Sequence, residues 1–89
     1  MRKELSRQAI KFLKHLPAKQ ERQVVERIAA LAENPFAPDV RKMSGFNCLR
    51  VDSGEYRIIY SARNEVLFVL LVGKRNDDEV YRKLRRVLK

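Results

Sequence analysis

Cysteine and histidine occur once each in these 89 residues, as Cys48 and His15. One cysteine excludes an internal disulfide. One cysteine with one histidine leaves no ligand set for a zinc site. No motif marks a Ser–His–Asp set, and the three glycines form no phosphate-cradling loop. The N-terminal residues are charged throughout, so no apolar run of signal-peptide or membrane-spanning length begins the chain. Acid is scarce too. Eleven Asp and Glu face 20 Lys and Arg, a net charge of +9. Such a surplus in a short chain points to a polyanionic partner, most often nucleic acid; a solubility charge or an acidic protein partner also accounts for it. The expectation is a cytoplasmic, disulfide-free protein with no cofactor, no metal and no membrane association.

What is present describes one small globular domain, 45% hydrophobic and 35% charged. Residues 1–5 have the length of a very short strand. In "SRQAIKFLKHL", Ser6 has the chemistry of an N-cap. Ala9, Phe12, Leu13 and Leu16 then fall on one helical stripe, with Ile10 on its edge. Pro17 interrupts it. A second helix over 18–33 carries Val24, Ile28, Leu31 and Ala32 on one face and stops at Asn34-Pro35. The tight link between the two predicts a helical hairpin.

After an irregular loop, "NPFAPDVRKMSGF", the period changes. "NCLRV", "EYRIIYSA" and "VLFVLLV" read as strands joined by the short turns "DSGE" and "RNE", which makes them antiparallel neighbours. The third run is apolar at every position. Both its faces are expected to be covered, and it is expected in the middle of the sheet. A last helix over 77–88, opened by Asn76 or Asp77, closes the chain. The order predicts an α+β fold: an N-terminal helical hairpin packed on a small antiparallel β-sheet, with a C-terminal helix.

Several residues stand out against this frame. At ~100° per residue, Val80, Leu84, Val87 and Leu88 share an apolar arc of the last helix, with Arg82, Arg85, Arg86 and Lys89 opposite. Tyr81 falls on the boundary. A boundary tyrosine packs its ring and keeps its hydroxyl wet, and from the helix alone that ordinary role is the favoured one. Alternation sends Tyr56, Ile58 and Tyr60 to one face of their strand, and Arg57, Ile59 and Ser61 to the other. A guanidinium in such a strand must be paired or must face a solvated groove. Arg50, across the "DSGE" turn, and Arg75, at the end of the third strand, are candidates to converge with Arg57. Three arginine forks on one face suit a nucleic-acid backbone; scattered surface cations are the alternative, and spacing does not separate the two.

"YRIIY", the apolar strand ending "VGKR" and "EVY" in the last helix, together with "ENP" and "KMSG" upstream, resemble the RelE toxins of type II toxin–antitoxin systems, within the RelE/ParE superfamily. The resemblance covers nearly the whole chain. It implies a metal-independent endoribonuclease that cuts mRNA in the ribosomal A site. In that chemistry the ribose 2′-OH attacks the adjacent phosphorus and leaves a 2′,3′-cyclic phosphate and a 5′-OH. By the resemblance Arg57 and Arg75 are the active-site arginines, stabilising charge on the scissile phosphate, and Tyr81 takes the 2′-OH proton. Arg50 matches a basic strand position that is lysine in the best-known member. A further lysine of that member, two residues earlier, is here Cys48, which carries no standing charge; Lys74, or Lys42 from the loop, is the available replacement. Arg82 and Arg85 join these as expected RNA-binding residues. The implied partners are a cognate antitoxin, the ribosome, and operator DNA through the antitoxin. Two alternatives remain: a ParE-like gyrase inhibitor of the same superfamily, and a non-catalytic nucleic-acid-binding module.

Overall fold

The computed structural model describes residues 1–43, 45–76 and 79–87, with Glu79, Val80 and Val87 described in backbone only. The elements are β1 (Arg2–Leu5), α1 (Arg7–Lys14), α2 (Ala18–Glu33), β2 (Arg41–Lys42), β3 (Leu49–Ser53), β4 (Tyr56–Arg63), β5 (Val66–Lys74) and α3 (Glu79–Val87). Helical hairpin, sheet and C-terminal helix follow in the expected order, and the fold is α+β. The expected start of the last helix at Asp77, the side chains of Val80 and Val87, and Leu88 and Lys89 lie outside the described residues.

The five strands run β1-β5-β4-β3-β2. This corrects the expectation for the apolar run. β4 is the central strand, and β5 lies between β4 and β1. The reason is the N-terminal strand, which takes the outer place and pairs parallel to β5, Arg2 opposite Val66 through Leu5 opposite Val69. β2, inside the segment read as irregular, extends the other side.

β1 covers only the first half of β5, so the backbone beyond Val69 needs other partners. The start of α1 supplies them. Ser6 Oγ donates to Leu70 O at 2.6 Å. The Gln8 amide imitates a strand: Nε2 donates to Val72 O at 2.9 Å and Oε1 accepts from Val72 N at 3.0 Å. Ser6 also caps α1 as expected, accepting from Ala9 N at 3.1 Å. One serine thus starts the helix and ties it to the sheet edge.

The sheet is covered on two faces. Ala9 and Leu13 of α1 and Val24, Ile28, Leu31 and Ala32 of α2 pack on Val51, Ile58, Tyr60, Leu67, Val69 and Val72. On the opposite face Leu84 of α3 packs among Met43, Cys48, Ile59, Leu70 and Leu71. Pairing jumps from Ile59–Leu71 to Tyr60–Val69, which makes Leu70 the extra residue of a β-bulge and turns Leu70 and Leu71 to the same side. Strict alternation would have sent one of them to the hairpin side. Phe68 departs from the expected two-sided burial and remains 37% exposed.

Two turns fix the register. Gly54, at φ +60°, opens the β3–β4 turn, and a Cβ there would press on the Gln23 side chain of α2 at 3.0 Å. Asn64 and Glu65 both take positive φ, 50° and 63°, in the β4–β5 turn. That is the backbone that two-residue hairpins favour, because it matches the strand twist. Behind β4, the buried Tyr60 hydroxyl donates to Pro35 O at 2.5 Å. The bond fastens the loop after α2 to the central strand.

Candidate functional site

Counting outward from the Gly54–Glu55 turn pairs Ser53 with Tyr56, Asp52 with Arg57, Val51 with Ile58 and Arg50 with Ile59. Cross-strand partners share a face. Arg50, Asp52 and Arg57 therefore all lie on the α3 side, and Arg57 is also opposite Gly73 of β5. Gly73 puts no side chain beside Arg57, and Tyr81 of α3 contacts the guanidinium. Leu84, fully buried, anchors that helix; burial of a leucine side chain contributes about 1.5–3 kcal/mol. Three residues earlier on the same helix is Tyr81, half-buried against the same cluster.

Two guanidinium groups meet the phenol. Arg57 Nη1 and Arg50 Nη1 both donate to the Tyr81 hydroxyl oxygen, the Arg50 contact at 3.4 Å. The Arg57 Cζ is 6.0 Å from the Tyr81 ring centroid. The other side of the Arg57 fork is held by Asp52: Nε donates to Oδ1 at 2.8 Å and Nη2 to Oδ2 at 3.4 Å. The Arg57 side chain is only 15% exposed. The Asp52 carboxylate, then Tyr81, push its pKa further above the ordinary arginine value, against the opposing effect of burial. Arg57 is a permanent cation here and not a proton donor.

Beside this cluster runs an open groove of about 280 Å³ lined by Asp39, Arg41, Arg50, Val51, Asp52 and Arg57. Its two acids are each engaged. Asp39 accepts from Arg27 Nη2 at 2.6 Å, and that hydrogen bond holds its carboxyl below the usual carboxylate range. Asp52 is occupied by Arg57. Arg41 and Arg50 are cross-strand partners in the same groove.

The expected residues divide. Arg50, Arg57 and Tyr81 come together. Arg75 lies in the turn after β5, exposed, its backbone N–H donating to Glu55 O at 3.0 Å, and the described contacts of the cluster do not include it. Arg82 and Arg85 are exposed on α3. Lys42 and Lys74 are exposed, but their cross-strand partners, Leu49 and Tyr56, belong to the hairpin side, so both are on the sheet face away from Arg57. Cys48 is buried against Met43, its Sγ 3.6 Å from the Met43 Sδ, and burial pushes its thiol pKa up. The sequence reading missed Asp39, Arg41 and Asp52. Asp52 was legible: taken as part of the turn, it is in fact the strand residue two places before Gly54, and the pairing with Arg57 follows from that count.

The family model for the ParE toxin of type II toxin–antitoxin systems (parDE) matches residues 4–79. The chain belongs to this toxin family. The match ends before Tyr81, so the arginine–tyrosine cluster extends past the family's matched span. Among solved structures the chain is similar to the archaeal RelE–RelB complex from Pyrococcus horikoshii, with 28% identity over 84% of this chain and 94% of that one, TM-score 0.72. It is similar to a double arginine-to-alanine mutant of the E. coli toxin RelE in the free state, with 25% identity over 97% and 96%, TM-score 0.77. The toxin of the intact E. coli RelBE toxin–antitoxin complex shares the fold, at 22% identity, 85% and 98% coverage and TM-score 0.72. No curated protein matches in sequence. These likenesses support membership of the RelE/ParE superfamily and a toxin role in a toxin–antitoxin system. No helix among the described residues is long and apolar enough to cross a membrane.

Proposed function

We infer that this toxin is a ribosome-dependent endoribonuclease that cleaves mRNA in the A site and thereby stops translation. The observation that carries the reading is the convergence of Arg50 and Arg57 on the Tyr81 hydroxyl beside a cationic groove. A phosphodiester over this cluster meets fixed guanidinium donors where negative charge grows on phosphorus. Tyr81 takes the proton of the 2′-OH, the 2′-oxygen bonds to phosphorus, and the bond from phosphorus to the 5′-oxygen breaks. The 5′-oxygen takes a proton from solvent water and leaves as a hydroxyl, and that water recovers the proton held by Tyr81. Arg57 stabilises the phosphorane charge without giving up its proton. Arg75, exposed in the turn after β5, serves the same phosphate from the strand end. Arg82 and Arg85 of α3 bind surrounding RNA phosphates.

The partners follow from the same reading. Similar toxins are seen with RelB antitoxins, and a +9 surface suits an acidic segment that wraps it. The cognate antitoxin neutralises the toxin, and operator DNA is reached through the antitoxin. One observation favours a second reading: the matching family model is that of ParE toxins, which makes inhibition of DNA gyrase the alternative.

Induction of the toxin, followed by primer extension on cellular mRNA, separates the two. Cuts in frame within translated codons, absent in Arg57→Ala and Arg75→Ala, support the nuclease. In Tyr81→Phe, cleavage on programmed ribosomes is expected to fall on the order of 10²-fold or more while binding persists. Intact mRNA with accumulating gyrase-linked DNA breaks refutes the nuclease reading.

A further inference from the structure

We propose that Asp52 is a positioning residue of this site: its carboxylate orients the Arg57 guanidinium for the phosphate and the phenol. The inference rests on the nuclease reading above. Arginine has five N–H donors on a planar fork, and a cation on a long side chain samples many rotamers unless something holds it. Here Asp52 takes Nε at 2.8 Å and Nη2 at 3.4 Å, along one side of the fork, which leaves Nη1 directed at Tyr81. The two residues are cross-strand partners one pair beyond the β3–β4 turn, so the rigid sheet sets their separation.

The arrangement differs from an ordinary surface ion pair, which contributes little. Arg57 is 15% exposed, paired across the sheet with Gly73 and in contact with Tyr81 of α3, while Asp52 is 39% exposed at the groove wall. A carboxylate beside a site for a polyanion is a cost to binding. Its presence in contact with the central arginine is explained by what it does to that arginine's direction. Removing it is therefore expected to have opposite effects on binding and on chemistry. The groove gains a net positive charge, so ribosome affinity holds or tightens. Arg57 loses its orientation, so the chemical step slows.

The test compares wild type with Asp52→Ala, Asp52→Asn, Arg57→Ala and the double variant Asp52→Ala/Arg57→Ala. Single-turnover cleavage on mRNA-programmed ribosomes is measured at saturating toxin, ribosome affinity separately, and the Arg57 Nε–Hε resonance by NMR on the free toxin. Asp52→Ala is expected to slow cleavage roughly 10- to 100-fold at saturation, with unchanged or tighter ribosome binding and faster Hε exchange. Asp52→Asn keeps the shape and one acceptor and should fall between the two. In the Arg57→Ala background, loss of Asp52 should have no further effect, because the pair acts as a unit. Wild-type cleavage by Asp52→Ala, independent losses in the double variant, or an unchanged Hε signal overturns the proposal. A wild-type toxin that cleaves nothing on ribosomes refutes the nuclease reading instead, and the NMR comparison still reports on the orientation of Arg57.

Discussion

Tyr60 and Tyr81 use the same phenol in opposite ways, and Tyr60 offers the more quantitative test. Its hydroxyl is buried and donates to Pro35 O at 2.5 Å, so the proton is needed for the bond. Burial pushes its pKa up to about 12, against about 10 for a free tyrosine. Between those values the folded protein holds a proton that the unfolded chain has released. Stability is therefore fully present below pH ~10 and is lost as pH rises through ~12. A two-unit difference corresponds to about 2.7 kcal/mol in full, and about 1.4 kcal/mol is gone by pH ~11. Tyr60→Phe removes the hydroxyl and leaves Pro35 O without its donor, a cost of about 1 kcal/mol at neutral pH. The two stability curves should then cross near pH ~11, with the phenylalanine variant the more stable above it. Urea unfolding of both proteins at matched pH values, followed by far-ultraviolet circular dichroism, measures the difference directly. Cys48 and the remaining ionisable groups are common to both variants and cancel. A difference that stays constant from neutral pH to beyond ~11 would refute the assignment of a protonated, buried Tyr60.

Other outcomes follow from local geometry. Glu65 takes φ 63° in the β4–β5 turn; Glu65→Gly should raise stability by about 1 kcal/mol in chemical denaturation. Gln8→Ala removes both bonds to Val72 and should cost about 1–3 kcal/mol, with faster amide exchange at Val72. Leu84→Ala should cost about 2–5 kcal/mol and, by loosening α3, reduce cleavage toward the level of Tyr81→Phe while β3–β4 pairing persists in amide exchange. Ribosome binding should weaken steeply with salt, and Arg82→Gln or Arg85→Gln should each lower the slope of log K against log salt by about one.

The elements of local origin were legible in the chain. Ser6 as a cap, the break at Pro17, the stop at Asn34-Pro35 and the switch to strand period after Phe46 depend on neighbours a few residues away, and the structure has each of them, with the two-residue β2 added inside the loop. Sheet order was not legible. Whether β4 or β5 is central depends on where the first five residues dock, a choice made by edge hydrogen bonds more than sixty residues apart. The bulge at Leu70 was hidden for a related reason. An all-apolar run carries no alternation to reveal an extra residue, and only pairing against Ile59 and Tyr60 exposes it. For the site, residue types and the β3–β4 turn made Arg50 and Arg57 candidates to converge, and the register that puts them on one face came from the strand pairing, which takes Asp52 out of the turn. That Tyr81 meets them, that Asp52 and not solvent holds the other side of Arg57, and that Lys42 and Lys74 lie across the sheet were decided by tertiary packing. Those contacts join strands and a helix whose relative placement no local pattern encodes.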